Sequence, residues 1–225
     1  MTILCIETST SVCSAAICKD GEPIKQCINY EGGNHARLLP LFIDQLLSFA
    51  REQKLTIDAV ALSEGPGSYT GLRIGTSTAK GLCYGLNIPL FPVPTLEILT
   101  LAAKESMSSN SAAVFLPMID ARRMEVYTTD GNGKVRAVVV ENEESLYVGN
   151  EDVYYFGDGA AKCQAVFTKP NWHYLPNIVP EARYCASYVL PILDHCRTHP
   201  VDIAYYEPYY LKEFTAAQSH VKGLK

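Results

Sequence analysis

Ser63-Glu64-Gly65-Pro66-Gly67-Ser68-Tyr69-Thr70-Gly71-Leu72-Arg73-Ile74-Gly75 joins an apolar run at residues 57–62 to a helical pattern that continues to about residue 86. Strand, glycine loop and helix in this order can aim backbone N–H groups at an anion. The run is neither standard phosphate loop. No Lys-Ser/Thr pair follows Gly71, and the third glycine falls one residue later than a dinucleotide fingerprint requires. Local chemistry alone supports two readings, a tight strand-to-helix turn and an anion site.

The 225 residues are 48% hydrophobic and 19% charged, enough for one large domain or two small lobes. A formal net charge of −5 argues against autonomous binding to a polyanion, which rewards clustered Lys and Arg. No apolar run approaches about 18 residues, so no membrane-spanning helix is expected. The chain starts on a short strand without a leader pattern, which points to the cytoplasm. The eight cysteines include no Cys-x-x-Cys, and several fall in apolar patterns, so they are expected to be buried free thiols. His195 and His199 have the i, i+4 spacing of a helical zinc pair but lack a clear third ligand. Pro200 is expected to end that helix, where histidine also suits the C-terminus.

Along the chain, residues 2–6, 13–18 and 22–29 read as a strand meander, and 35–51 as a helix with Asn34 as N-cap and Pro40 tolerated only near the first turn. Strand 57–62, helix 70–86, strand 90–92 and helix 95–104, with Thr95 as N-cap, follow. The serine-rich stretch 106–111 is the most linker-like. Beyond it come strands at 113–119, 124–130, 134–141 and 153–156, a turn at Gly131-Asn132-Gly133, and helices at 160–167 and 182–198. Three strands followed by a helix, twice over, predicts two related α/β lobes, residues 1–104 and 112–225, with the last residues returning to the first lobe.

Two helices carry more than a core requires. In 35–51, Leu38, Leu41, Phe42, Leu46 and Phe49 form one stripe, and Leu39, Ile43, Leu47 and Ala50 a second beside it. One stripe of about 100° suffices to pack a helix on a sheet, so the second is either sandwiched or offered to a partner. Helix 70–86 holds Gly71, Gly75, Gly81 and Gly85. Each interior glycine costs roughly 0.5–1 kcal/mol relative to alanine, and close approach of another helix is the natural compensation.

Three segments together resemble the bacterial TsaB (YeaZ) family over essentially the whole chain: Ile3-Leu4-Cys5-Ile6-Glu7-Thr8-Ser9-Thr10, the loop from Gly65 to Arg73, and Ile119-Asp120-Ala121-Arg122-Arg123-Met124-Glu125-Val126-Tyr127. Pro208-Tyr209-Tyr210-Leu211-Lys212 is a weaker fourth. The resemblance implies an α/β, two-lobed actin-like ATPase (sugar kinase/Hsp70) fold. It also implies a part in making threonylcarbamoyladenosine beside the tRNA anticodon, as the non-catalytic partner of the transferase TsaD. A small ATPase, TsaE, assists, and tRNA is met only through the complex. TsaD-type enzymes carry a metal-binding His-x-x-x-His after the strand that follows the glycine-loop helix. Here Thr95 and Leu99 take those places, and leucine cannot ligate a metal.

On this reading there is no catalytic residue, no metal ligand and no required cofactor. The partner face is Leu38, Leu39, Phe42, Ile43, Leu46, Gly71, Arg73, Gly75, Thr78 and Leu82, also used by a homodimer when TsaD is absent. Leu46→Asp or Gly75→Leu is expected to abolish pairing and leave the fold intact. Glu7, Thr8, Ser9, Gly65, Gly67, Gly157 and Gly159 stand as vestigial nucleotide loops, with nucleotide binding left open. Glu7 could hold a metal-bound water or cap the turn after it, and the structural role is the expectation. Gly157-Asp158-Gly159 fits an adenosine-side loop or an ordinary turn. Arg122 and Arg123 could meet tRNA phosphate, but a local ion pair with Asp120 or Glu125 is expected. Arg73 sits unfavourably at a helix start and should find Glu64 or Glu7. The competing reading is an ATP-dependent transferase or nucleotide hydrolase, against which stand the missing metal ligands and catalytic lysine. Peptidase chemistry has no supporting triad.

Overall fold

The computed structural model describes residues 1–107, 113–130 and 133–212. Positions 108–111 of the expected linker, Gly131 and Asn132 of the expected turn, and the chain beyond 212 lie outside them.

The first lobe runs β1 (Thr2–Glu7), β2 (Cys13–Lys19), β3 (Glu22–Asn29), α1 (His35–Glu52), β4 (Ala59–Gly65), α2 (Tyr69–Leu86), β5 (Leu90–Pro94) and α3 (Thr95–Met107). Its sheet has the order β3-β2-β1-β4-β5. The meander β1-β2-β3 is antiparallel, and β4 and β5 add parallel to β1. Every residue of β1 is buried, as a central strand covered on both faces must be. Alternation divides it between two cores. Leu4 and Ile6 pack with Leu39, Leu46, Leu62 and Ala79 under α1 and α2. Ile3 and Cys5 pack with Phe91, Ile98, Ala102 and Ala186 on the other side.

The second lobe has β6 (Val114–Pro117), β7 (Ile119–Asp120), β8 (Glu125–Thr129), β9 (Val135–Val139), β10 (Val153–Phe156) and β11 (Trp172–Leu175). β7-β8-β9 form an antiparallel meander, and β11-β10-β6 are parallel. β6 and β7 are consecutive and separated only by Met118. Read through it, the order is β9-β8-(β7β6)-β10-β11, the first lobe's topology with the same strand directions. The first lobe's helices α1 and α2 have only 3₁₀ turns as counterparts, Glu143–Ser145 and Ala161–Ala165. The expected helix 160–167 is therefore one short turn. β11 is not among the expected strands. Its signal was an aromatic run between Pro170-Asn171 and Pro176-Asn177.

The expected helix 182–198 is broken at Pro191 into α4 (Arg183–Val189), a 3₁₀ turn (Leu190–Ile192) and α5 (Leu193–Thr198). Proline lacks the N–H that an uninterrupted helix needs. α4 lies on the first lobe's sheet, where Ala182 N–H donates to Ser14 Oγ (2.9 Å). Val201, Ile203 and Tyr206 then pack along the core edge beneath α1 and α2.

Three local expectations are corrected. Asn34 precedes α1 without a side-chain capping bond, and Pro40 stands inside the helix on an exposed position, where water can reach the carbonyl it leaves unbonded. Thr95 is the first residue of α3, and its hydroxyl turns inward to accept from Gly65 N–H (3.1 Å) and bond Ser63 Oγ (2.6 Å). The larger correction concerns the partner face. The stripe that α1 buries in its own lobe is Leu39, Ile43, Leu46 and Ala50, with Leu39 and Leu46 at 0% exposure. Gly71 and Gly75 are buried as well. These five proposed interface residues, Leu39, Ile43, Leu46, Gly71 and Gly75, are interior, and only the remaining five reach or approach the surface.

Candidate functional site

The glycine loop is built around close approach. Cβ atoms at Gly67 and Gly71 would lie 2.3 Å from Ser9 O and 2.0 Å from Thr8 O, and one at Gly75 would lie 2.3 Å from Thr8 Oγ1. α2 thus rests directly on the β1–β2 turn, and Thr8 Oγ1 donates to Gly71 O (2.8 Å). The glycines at 71 and 75 compensate their propensity cost within the chain. Gly81 and Gly85 have nothing within 4 Å of a would-be Cβ.

The same contacts occupy several of the groups an anion would use. Ser68 N–H donates to Ser9 O (2.6 Å) and Leu72 N–H to Ser68 O (2.8 Å), while Gly71 N–H donates to Ser68 Oγ (3.3 Å). Ser9 N–H and Oγ–H both donate to Glu7 Oε1, at 2.5 and 2.6 Å. Through these bonds Glu7 caps its own turn. Glu7, Thr8 and Ser9 are all fully buried. Gly65, at φ 116°, is closed from the other side by Tyr209 O, 2.5 Å from a would-be Cβ.

The second lobe repeats the device. Cβ atoms at Gly157 and Gly159 would meet Met118 O at 2.2 Å and Ile119 C at 2.9 Å. Gly159 N–H donates to Met118 O (3.0 Å), and Asp158 Oδ1 accepts from Asp120 N–H (2.9 Å). Between the two loops lies a cleft of about 890 Å³ whose lining includes Ser9, Ser68, Tyr69, Asp120, Arg122 and Tyr210.

Burial raises the Glu7 pKa, hydrogen bonding from Ser63 and then from Ser9 opposes the rise, and the charge of Asp158 adds to it. Asp158 is also raised, again mainly by burial. A carboxyl raised on folding contributes fully below its unfolded pKa of about 4.3, and that contribution is lost as pH climbs through the folded value. Glu7→Gln keeps an acceptor for Ser9 and removes the charge. It is expected to raise the unfolding midpoint at about pH 7–8 and leave it unchanged near pH 4, read by thermal unfolding across that range.

Arg73 pairs with neither Glu64 nor Glu7. Its guanidinium lies over the Tyr69 ring, 4.1 Å from the centroid, and Nε donates to Tyr210 Oη (3.3 Å). The segment carrying Tyr210 spans the cleft mouth. Tyr209 N–H donates to Glu64 O (2.7 Å) in the first lobe, and Lys212 pairs with Glu125 in the second. Arg122 and Arg123 likewise lack the expected ion pairs, because Lys162 occupies Asp120 and Lys212 occupies Glu125. His195 and His199 stack their rings at 4.5 Å. Among the described residues no three His, Cys, Asp or Glu side chains gather as a metal site, and no helix is long and apolar enough to cross a membrane. All eight cysteines are free.

The outer face of α2 presents Arg73, Ser77, Gly81 and Tyr84, all exposed and spaced to share one side of the helix. Tyr84 is 84% exposed, Leu86 46%, and Leu41 of α1 52%. Leu38, Phe42, Ile74 and Leu82 are half-buried at the margin of the core. Tyr84 escaped the sequence reading. Its signal was an aromatic side chain three residues after Gly81 on the helix's small-residue side.

Residues 29–151 match the sequence profile of the family described as TsaD: tRNA N6-adenosine threonylcarbamoyltransferase. The tRNA threonylcarbamoyladenosine biosynthesis protein TsaB of Haemophilus influenzae is 30% identical over 230 residues, 94% of each chain. The Escherichia coli protein of the same description is 36% identical over 127 residues, 56% of this chain and 53% of its own. The solved structure of YeaZ from Pseudomonas aeruginosa superposes with a TM-score of 0.73 at 27% identity, covering 93% of this chain and 99% of its own.

Proposed function

The chain belongs to the TsaB (YeaZ) family of tRNA threonylcarbamoyladenosine biosynthesis proteins, with a two-lobed actin-like ATPase fold, and on that premise we propose that it is the non-catalytic subunit that pairs with a TsaD-type transferase. The carrying observation is Tyr84, 84% exposed on α2, between Gly81 and Gly85, whose Cα positions open onto free space. A large aromatic beside two bare backbone positions is the composition of an interface anchor. Leu41 and Leu86 extend the apolar surface, and Arg73 supplies a charged rim. The same face joins two copies of the chain when the transferase is absent.

The non-catalytic role is supported by what Thr95 and Leu99 do. Thr95 holds the glycine loop through Gly65, and Leu99 is buried in the core between α3 and the second lobe. The loop N–H groups bonded within the chain support a cleft that requires no nucleotide. The chain works in the cytoplasm, TsaE joins the larger assembly, and RNA is met there.

Mixing the purified chain with the same organism's TsaD, with light scattering of each alone and together, tests the pairing. A heterodimer is expected, and Tyr84→Asp with Leu41→Asp is expected to weaken it by about 30-fold or more without moving the unfolding midpoint. Undiminished pairing by that variant removes this face from the interface. Absence of any wild-type complex with a folded TsaD overturns the subunit reading.

A further inference from the structure

The hairpin between β7 and β8 turns through Arg122, Arg123 and Met124, closed by Glu125 N–H to Arg122 O and Ala121 N–H to Glu125 O, both 3.1 Å. Arg122 and Arg123 have φ of 71° and 50°, a left-handed region that L side chains avoid and that glycine and asparagine fill readily. Two consecutive arginines there work against the turn, so their side chains explain their presence better than the backbone does. Both are exposed. The carboxylates on either side are taken by Lys162 and Lys212, and Asp120 Oδ1 also accepts the Arg122 backbone N–H (3.1 Å). Among the described residues neither guanidinium has an ion-pair partner. Beside them is a hollow of about 580 Å³ bordered by Met124 and Val139, and Val139 is 60% exposed.

We propose that the Arg122–Arg123 tip is a phosphate-contact point for the backbone of an RNA held by the assembled complex. Adjacent guanidinium forks suit successive phosphates. The inference rests on the pairing proposed above, because a chain of net charge −5 has little affinity of its own for a polyanion.

Arg122→Asn with Arg123→Asn removes both charges and keeps residues that accept the left-handed turn. The probe is an unmodified tRNA transcript, titrated with the TsaD complex at about 50–200 mM salt. The double variant is expected to lose about 10-fold in affinity at about 100 mM salt, and the slope of log affinity against log salt is expected to fall by about 1.5. Its complex should form as before, and its unfolding midpoint should hold or rise. The corresponding double lysine variant should keep the slope. An intact variant complex with unchanged affinity and slope overturns the proposal. So does a weakened complex with an unchanged RNA slope, which assigns the arginines to a protein contact. If the wild-type chain forms no complex, the pairing reading fails separately. The same titration of the isolated chain at low salt then decides the arginines, an unchanged slope again counting against them.

Discussion

Leu46→Asp is expected to unfold this protein. Leu46 has no exposed surface and sits among Leu4, Ile6, Leu39 and Leu62 beneath α1. Removing a buried leucine costs about 2–5 kcal/mol through lost transfer energy and the cavity left behind. A carboxylate in its place adds desolvation, unless it protonates. The sum, about 5 kcal/mol or more, is comparable to the whole stability of an ordinary domain. Circular dichroism of the purified variant at neutral pH is expected to show an unfolded or expanded chain, recovering partly in acid. A folded Leu46→Asp protein that has lost only its association would return Leu46 to the partner face. Tyr84→Asp supplies the contrast, since an 84% exposed side chain can change its charge without a core to disturb.

Gly71→Ala has the second large effect. The new methyl would lie 2.0 Å from Thr8 O, a backbone atom of a turn that cannot swing aside as a side chain can. α2 must lift from the β1–β2 turn, and the Thr8 to Gly71 bond is lost with it. The expected destabilisation is about 3 kcal/mol or more, measured by urea unfolding. Gly81→Ala, ten residues along the same helix, meets nothing within 4 Å. It is expected to stabilise by about 0.5–1 kcal/mol. Opposite signs for one substitution within one helix separate propensity from packing. Equal effects at both positions would contradict the seating of α2 on Thr8.

Much of the site was legible before any tertiary structure. The loop Gly65–Gly71 reads directly as a strand-to-helix turn because glycine spacing reports where the backbone must come close. The resemblance carried by residues 119–127 pointed to the second lobe's hairpin. The expected ion pairs of Arg122 and Arg123 fail for one cause. The carboxylates beside them are taken by Lys162 and Lys212, which come from 40 and 89 residues away. No local pattern encodes such distant competition for a carboxylate.

By itself the sequence determined the elements of the first lobe, their order and the duplicated strand plan of two lobes, but not β11 or the breaks in the later helices. Those follow from periodicity and turn chemistry, which act over a few residues. It also determined that α1 carries two apolar stripes and α2 four glycines. Only the tertiary structure decided which glycines face inward, and that the buried face of α1 takes Leu46 from one stripe and Leu39, Ile43 and Ala50 from the other. Leu39, Ile43, Leu46 and Ala50 are interior because strands β2 and β3 and helix α2 approach that side of α1, and Gly71 and Gly75 because Thr8 does. Burial belongs to a residue together with whatever the rest of the chain brings against it, and hydrophobic patterning cannot tell which positions of one wide apolar face are fully covered and which are only half-buried at its margin.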